Sequence, residues 1–259
     1  MAFKTWHTGV HIQQDKVLAV ALVREKSGWG LRRWWQLPLA AGIIRDGQIL
    51  QPEQLAAALR EWRQLLPHQH QIFLAFPAAR TLQRTLPRPS MTLRDSEQTA
   101  WIAAAMSREL EMAPDALRFD YAEDTFSNAY HVTAAQNKEV ATLLELAREL
   151  RLRLATITPD AGALAHLLPF VQAPAQCVAW RDRDQWLWAM RHQWGRRGLA
   201  EAPDVERLAA LLALGVDEIA CCGAGNFDPW CVLSRRQPPL PENGADFSVA
   251  LALATGEHA

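Results

Sequence analysis

One pattern limits the fold of this chain more than any other: a hairpin that occurs twice. "TGVHIQQDKVLAVALV" starts at Thr8 and "QCVAWRDRDQWLWAM" at Gln176. Each is an apolar run, a short polar turn and a second apolar run. Laid turn on turn, the two are about 170 residues apart. A hairpin repeated at that distance predicts two related halves, each opening on an antiparallel strand pair. The 259 residues suit one large domain or two intimate ones.

The stretches between the hairpins carry their own periodicities. Val17–Val23 is almost continuously apolar, as a central strand should be. "EKSGWG" makes a turn and "LRRWWQLPL" returns as a third strand. "PEQLAAALREWRQLL" is a helix, with Pro52 in its first turn and Leu55, Leu59, Trp62 and Leu66 along one face. "QIFLAF" is a buried strand closed by Pro77. From there the order is extended segment, helix, two strands, helix and strand, the pattern of a small α+β insert. Asn137 is placed to cap the helix "NKEVATLLELARELR", and Asp160 to cap "AGALAHLLPF". After the second hairpin come the helix "DVERLAALLAL", the strand "EIACCGAG" and a closing helix "SVALALATG" stopped by Gly256. These readings divide the chain into a first-half subdomain (1–78), an inserted α+β subdomain (79–155) and a shortened second half (156–259), with the first half's closing helix near 159–170.

Composition excludes several classes. A net charge of −1 gives no overall field toward nucleic acid or lipid. No secretory signal is visible, and the apolar runs "VLAVALV" and "VALALA" are too short to cross a bilayer, so a cytoplasmic protein without direct membrane insertion is expected. Cys177, Cys221, Cys222 and Cys231 include no C-x-x-C and read as small apolar thiols. The pairs His7/His11 and His68/His70 lack the further ligands that zinc needs, so no metal site is expected. Most of the eleven tryptophans read as core or hairpin-face packing. Trp34 and Trp35 beside Arg32 and Arg33 read as a strand with mixed faces, not as a nucleic-acid platform.

The pieces "GVHIQQDKVLAVAL", "IIRDGQI", "IFLAFPAARTLQRTLPRPSM", "SRELEMAPDALRFDY", "VTAAQNKEVATLLELARELRLRLATITPDAGAL" and "VALALATG" resemble the PilM family of type IV pilus and DNA-uptake machines, and within it the shorter HofM branch. The resemblance covers most of the chain and is better in the first two-thirds. It implies an α/β, actin-like fold of duplicated hairpins, with an α+β insert in the first half. The region between Trp194 and Leu214 is much shorter than the family pattern, which implies a reduced second half. It further implies ATP in the cleft of ordinary members, and a role in binding the cytoplasmic tail of a PilN-like inner-membrane protein.

The cleft residues argue against the nucleotide. The family's first phosphate turn is similar to G-I-D-I-G-S-S-S-I-K. Laid on Gly9 to Leu18, it puts His11 at the acidic position, Gln13 at the glycine, Gln14 at the small hydroxyl and Leu18 at the lysine. A magnesium ion wants oxygen ligands, and a glycine lets backbone N–H groups approach phosphate. His11 and Gln13 supply neither. On the second hairpin, parity puts the acid at Ala179 and the glycine at Arg181. A slip of one brings Asp182 or Asp184 near, still without a glycine. Arg181 can meet a phosphate but cannot orient Mg²⁺. Only Gly223-Ala224-Gly225 keeps the look of a phosphate loop, and a lone Gly-x-Gly is also a plain turn. Phosphoryl transfer needs metal, cradle and positioned water together. The expectation is therefore a fold without catalysis, with no ATP or Mg²⁺ cofactor and no catalytic residues.

"PAARTLQRTLPRPSMTLR" holds Arg80, Arg84, Arg88 and Arg94 with no acid between them. It reads either as a solvated connector or as a groove wall whose backbone edge pairs with an incoming peptide. Phe76, Pro77 and Leu82 would then offer apolar contacts, and Arg80 and Arg84 would meet acids or carbonyls. By resemblance, the PilN-like tail binds here. The leading expectation is a cytoplasmic scaffold of a pilus-like DNA-uptake apparatus, held at the inner membrane by its partner and joined by other components of the machine. A nucleotide-switched ATP binder and a DNA-contacting component are the alternatives.

Overall fold

The computed structural model describes residues 4–91, 93–124, 128–223, 226–236 and 239–256. The chain forms two compact units, one of residues 1–79 with 147–259 and one of residues 80–146.

The larger unit contains the duplication. Strands β1 (Trp6–Ile12), β2 (Lys16–Glu25) and β3 (Gly28–Pro38) form an antiparallel meander. A small hairpin of β4 (Ile44–Arg45) and β5 (Gln48–Ile49) follows. Its Asp46-Gly47 turn has φ of 49° and 75°, the mirror-image turn that Asp-Gly favours. Helix α1 (Pro52–Gln64) then leads to β6 (His70–Phe76), which lies parallel beside β1. The 80–146 unit interrupts the chain here. It holds β7 (Thr81–Pro87), α2 (Asp95–Leu110), β8 (Leu117–Asp124), β9 (Ala129–Gln136) and most of α3 (Asn137–Glu149). Its three strands run in the order β7-β9-β8, and Ile102 and Met106 of α2 share a core with Tyr130, Val132 and Ala134 of β9.

Strand β10 (Leu154–Pro159) pairs parallel with β6, and α4 (Asp160–Ala163) follows. The second half repeats the first: β11 (Cys177–Arg181), β12 (Gln185–Ala189) and β13 (Trp194–Gly198) form a meander, α5 (Val205–Leu212) follows, and β14 (Ile219–Cys222) lies parallel to β11. The order β6-β1-β2-β3 in one sheet thus matches β14-β11-β12-β13 in the other. Beyond β14 the chain sends β15 (Leu233–Arg235) back to the free edge of β3, then closes with α6 (Ser248–Thr255). Among the described residues the second half has no counterpart of the 80–146 unit.

Burial explains the sequence patterns. Val17 to Val23 in β2 are all fully buried because both faces of the large sheet are covered. Trp34 turns inward to Phe247, while its neighbour Trp35 meets Trp62 of α1 on the outer face. In β12, Leu187 and Ala189 join the central core, and Trp186 and Trp188 pack with Leu208 and Ala209 of α5. All eight residues of α6 are buried, in the layer that both sheets share. An apolar surface all round is what such a helix requires.

Four local expectations change. The expected helix after Asp160 is four α-helical residues followed by a 3-10 run, Leu164–Phe170, with Pro169 inside it. The side chain of Asn137 does not cap α3: its oxygen accepts from Arg118 Nε at 2.9 Å and its amide donates to the Asp115 carbonyl at 3.0 Å. Gly256 ends α6 where expected, but with φ −54° instead of a left-handed conformation. The inserted unit spans 80–146 against an expected 79–155, because β10 belongs to the large sheet.

Candidate functional site

In both halves the first strand runs into a tight turn, and the two turns meet. The hydrogen bond Gln13 N to Lys16 O (2.9 Å) has its counterpart in Asp182 N to Gln185 O (2.9 Å). The strand pair Ile12 and Val17 likewise matches Arg181 and Trp186. The second turn therefore lies one residue later than sequence parity placed it. Asp182, not Arg181, occupies the position of Gln13, and Trp180 occupies the position of His11. Arg181 lies on the outer side, its guanidinium 5.8 Å from the Trp186 ring centre.

His11 and Trp180 touch across the gap. Both are buried, with ring centres 5.6 Å apart and planes at 74°. Gln13 Nε2 is 3.4 Å from His11 Nδ1, so the amide folds back over the ring. Burial, with a smaller push from the charge of Lys16, lowers the His11 pKa from 6.5 to about 3, and the imidazole is neutral. Gln14 is exposed at the tip of the turn. Beyond the rings, charge ties the first turn to the second turn and to the segment before α6. Asp15 accepts from the Arg183 guanidinium, and Lys16 Nζ donates to Asp246 Oδ2 at 2.6 Å. Asp246 precedes α6 on the 3-10 turn Gly244–Phe247.

The carboxyl ends of the parallel strands supply a further buried acid. Asp160, the first residue of α4, accepts at Oδ1 from Ala78 N (2.9 Å) and Ala161 N (2.6 Å). It ties the end of β10 to the end of β6. Burial pushes its pKa from 3.8 up to about 7, although the two N–H groups and Arg196 pull the other way. The charge of Asp182 adds to that rise, and Asp182 is itself raised, chiefly by burial. The sequence brought Asp182 near the second turn only on a slip of one residue, which is the register found. Asp160 followed a strand and read as an ordinary helix cap.

Gly223 lies where the third loop was expected, with φ +85° and the Cβ of Ala245 in the space its own would take. A left-handed backbone and a close neighbour both demand glycine there. Gly225 lies outside the described residues. Three cysteines are buried and Cys231 is exposed. Burial raises the Cys177 and Cys222 thiols to about 12 and Cys221 to about 11, far from nucleophilic.

The basic stretch is not a free cationic wall. Phe76 is buried in β6, so it presents no contact surface, and Pro77 is half-buried. In the 80–146 unit Arg80 pairs with Glu139, Arg84 with Glu109 and Arg88 with Glu123. Leu82 packs against that unit's core. These arginines meet acids contributed by later segments of the chain, which the local sequence does not reveal. Strand β7, which carries Arg84 and Leu82, is an edge strand, hydrogen-bonded to β9 on one side. Among the described residues no helix is long and apolar enough to cross a membrane.

Two equivalent hairpin halves with a buried helix between them, and turns that face each other, define an actin-like protein. The solved structures agree. The chain matches the PilM–PilN type IV pilus biogenesis complex with a TM-score of 0.69 at 16% identity, over 97% of this chain and 98% of that one. It matches the cytoplasmic domain of EpsL, an inner-membrane component of the Vibrio cholerae type II secretion system, with a TM-score of 0.58 at 11% identity, over 97% and 95%. No protein-family model matches the chain. It is 54% identical over 257 residues to the DNA utilization protein HofM of Escherichia coli (strain K12), covering 99% of each. The chain belongs to the HofM family.

Proposed function

We propose that this protein is a non-catalytic, actin-like scaffold of a pilus-like DNA-uptake machine. It sits on the cytoplasmic face of the inner membrane and holds the cytoplasmic tail of a PilN-like membrane protein. The observation that carries the reading is end-to-end similarity to a DNA utilization protein, on a fold shared with the PilM–PilN complex.

The residues of the cleft do not fit Mg·ATP, and three features support that part of the reading. Neutral His11 fills the position that would offer a carboxylate to magnesium, and its ring is covered by Trp180. Gln13 and Asp182 occupy the two positions where a glycine would let the backbone cradle phosphate. Arg181, the cation expected near the second turn, lies against Trp186 instead.

The partner's tail docks along the edge of β7, adding a strand beside it. Leu82 supplies an apolar contact there. Arg84, which Glu109 engages in the free protein at 40% side-chain exposure, exchanges that acid for a group of the tail. The test is a fluorescence titration of the full chain with a synthetic peptide of the PilN-like tail. Micromolar binding is expected, weakened about tenfold by Arg84→Glu and left unchanged by Arg60→Glu on α1. No binding of the tail ends the scaffold reading. Equal affinity for wild type and Arg84→Glu removes β7 from it. A rise in melting temperature with millimolar Mg·ATP would show that nucleotide still binds.

A further inference from the structure

We propose that the larger unit carries its own clasp. The pair Asp15–Arg183, backed by the His11–Trp180 contact, holds the two hairpin turns together, and Lys16–Asp246 ties the first turn to the segment before α6, all without a ligand. The proposal rests on the reading of the cleft as one that does not take Mg·ATP. It adds that the closed arrangement is the resting one.

The geometry is specific. Asp15 and Lys16 are adjacent on the first turn and reach in two directions, Asp15 to the second turn and Lys16 to the 3-10 turn before α6. The partners are 168 and 230 residues away in sequence, so each pair closes a long loop of chain. Exposure ranks them. Asp15 and Arg183 keep 44% and 65% of their side chains in water, where salt screens such a pair. Lys16 and Asp246 keep 20% and 34%, and at 2.6 Å they form the stronger tie. The buried rings of His11 and Trp180 form an apolar pin beneath both.

The charges around the clasp favour this pairing. Arg183 N donates to Asp182 Oδ1, which sets the direction of the second turn. The Arg183 guanidinium reaches away from its own turn to Asp15.

Hydrogen exchange of the full chain, read by mass spectrometry over 11–17, 178–186 and 244–248, tests the clasp. In wild type these amides should exchange slowly, and equally with or without Mg·ATP. Lys16→Met should raise exchange in all three segments about tenfold. Arg183→Ala, at a side chain 65% exposed, should raise the two hairpin segments several-fold. The reversed pair Lys16→Asp with Asp246→Lys should restore protection. Unchanged exchange in both Lys16→Met and Arg183→Ala overturns the clasp alone and leaves the scaffold reading standing. Slower exchange in wild type on adding Mg·ATP overturns the clasp together with the reading of a cleft that does not take Mg·ATP, because a nucleotide would then be the closing element.

Discussion

The contact between β1 and α6 gives the sharpest test of the packing. A Cβ built on Gly9 would lie 2.0 Å from the carbonyl oxygen of Ala250 and 2.9 Å from the amide nitrogen of Ala254. Both are backbone atoms of a helix whose eight residues are all buried. No side chain can rotate away, so Gly9→Ala must push helix and strand apart by about 1 Å. A gap of that size forfeits about a quarter to a half of each dispersion contact it opens. Val249, Leu251 and Leu253 each hold about 1.5–3 kcal/mol of burial, and the loss across the helix comes to about 3 kcal/mol. Reduced freedom of the unfolded chain offsets this by about 0.4–1 kcal/mol. The expected net destabilisation is about 2–3 kcal/mol. Equilibrium urea unfolding measures it as a fall of about 1 M in midpoint, with an m-value near 3 kcal/mol/M that does not change. Gly198→Ala is the control, since nothing lies within 4 Å of its Cβ. If Gly9→Ala unfolds within about 0.5 kcal/mol of wild type, the account of α6 as a helix seated on a bare strand is wrong.

Gly223→Ala combines a φ of +85° with a contact of 2.5 Å to the Ala245 Cβ, and should cost about 2 kcal/mol in the same assay. An unchanged midpoint would mean that the loop simply moves. Glu139 keeps only 10% of its side chain exposed and holds Arg80, so Glu139→Ala should cost about 2 kcal/mol, read as faster proteolysis of the 80–146 unit. Glu149→Ala, whose pair with Arg60 is solvated, should stay within about 0.5 kcal/mol. Equal effects at the two sites would refute the ranking by burial. His11 and Asp160 should give opposite pH profiles. The His11 pKa is lower in the native state than its ordinary 6.5, so its stabilisation is complete above 6.5 and is lost as pH falls toward 3. The Asp160 pKa is raised above 3.8, so its stabilisation is complete below 3.8 and is lost as pH rises through about 7. The two slopes oppose between 3.8 and 6.5. Relative to wild type, His11→Gln should lose stability with rising pH in that window and Asp160→Asn should gain it. Wild-type profiles in both variants would show that neither group titrates as its burial requires.

The duplication was legible because a hairpin writes itself locally: two apolar runs and the turn between them lie within about twenty residues. Strands β2 and β6 and helix α6 were legible for a related reason. An element covered on all sides has no polar face, and its letters say so. What the letters did not fix was register. The second turn read one residue early because Arg181 and Asp182 are equally polar, and only the bond from Asp182 N to Gln185 O decides between them. Long-range pairing was also hidden. Arg80 and Arg84 looked like free cations because Glu139 and Glu109 lie 59 and 25 residues away. Asp160 passed for a helix cap because the N–H it holds on Ala78 is 82 residues upstream.

The one-residue correction changes how the cleft is understood. With Trp180 in place of Ala179 as the counterpart of His11, equivalent positions of the two halves touch each other. The two rings meet edge to face, so the side chains stabilise as a pair. A carboxylate placed at position 11 alone would face the indole of Trp180 in a buried site. Lys16, the cation whose charge His11 feels, is committed to Asp246. A buried anion without a free partner costs several kcal/mol. A change in one turn therefore acts on the other, and positions 11, 13, 180 and 182 have to be considered together.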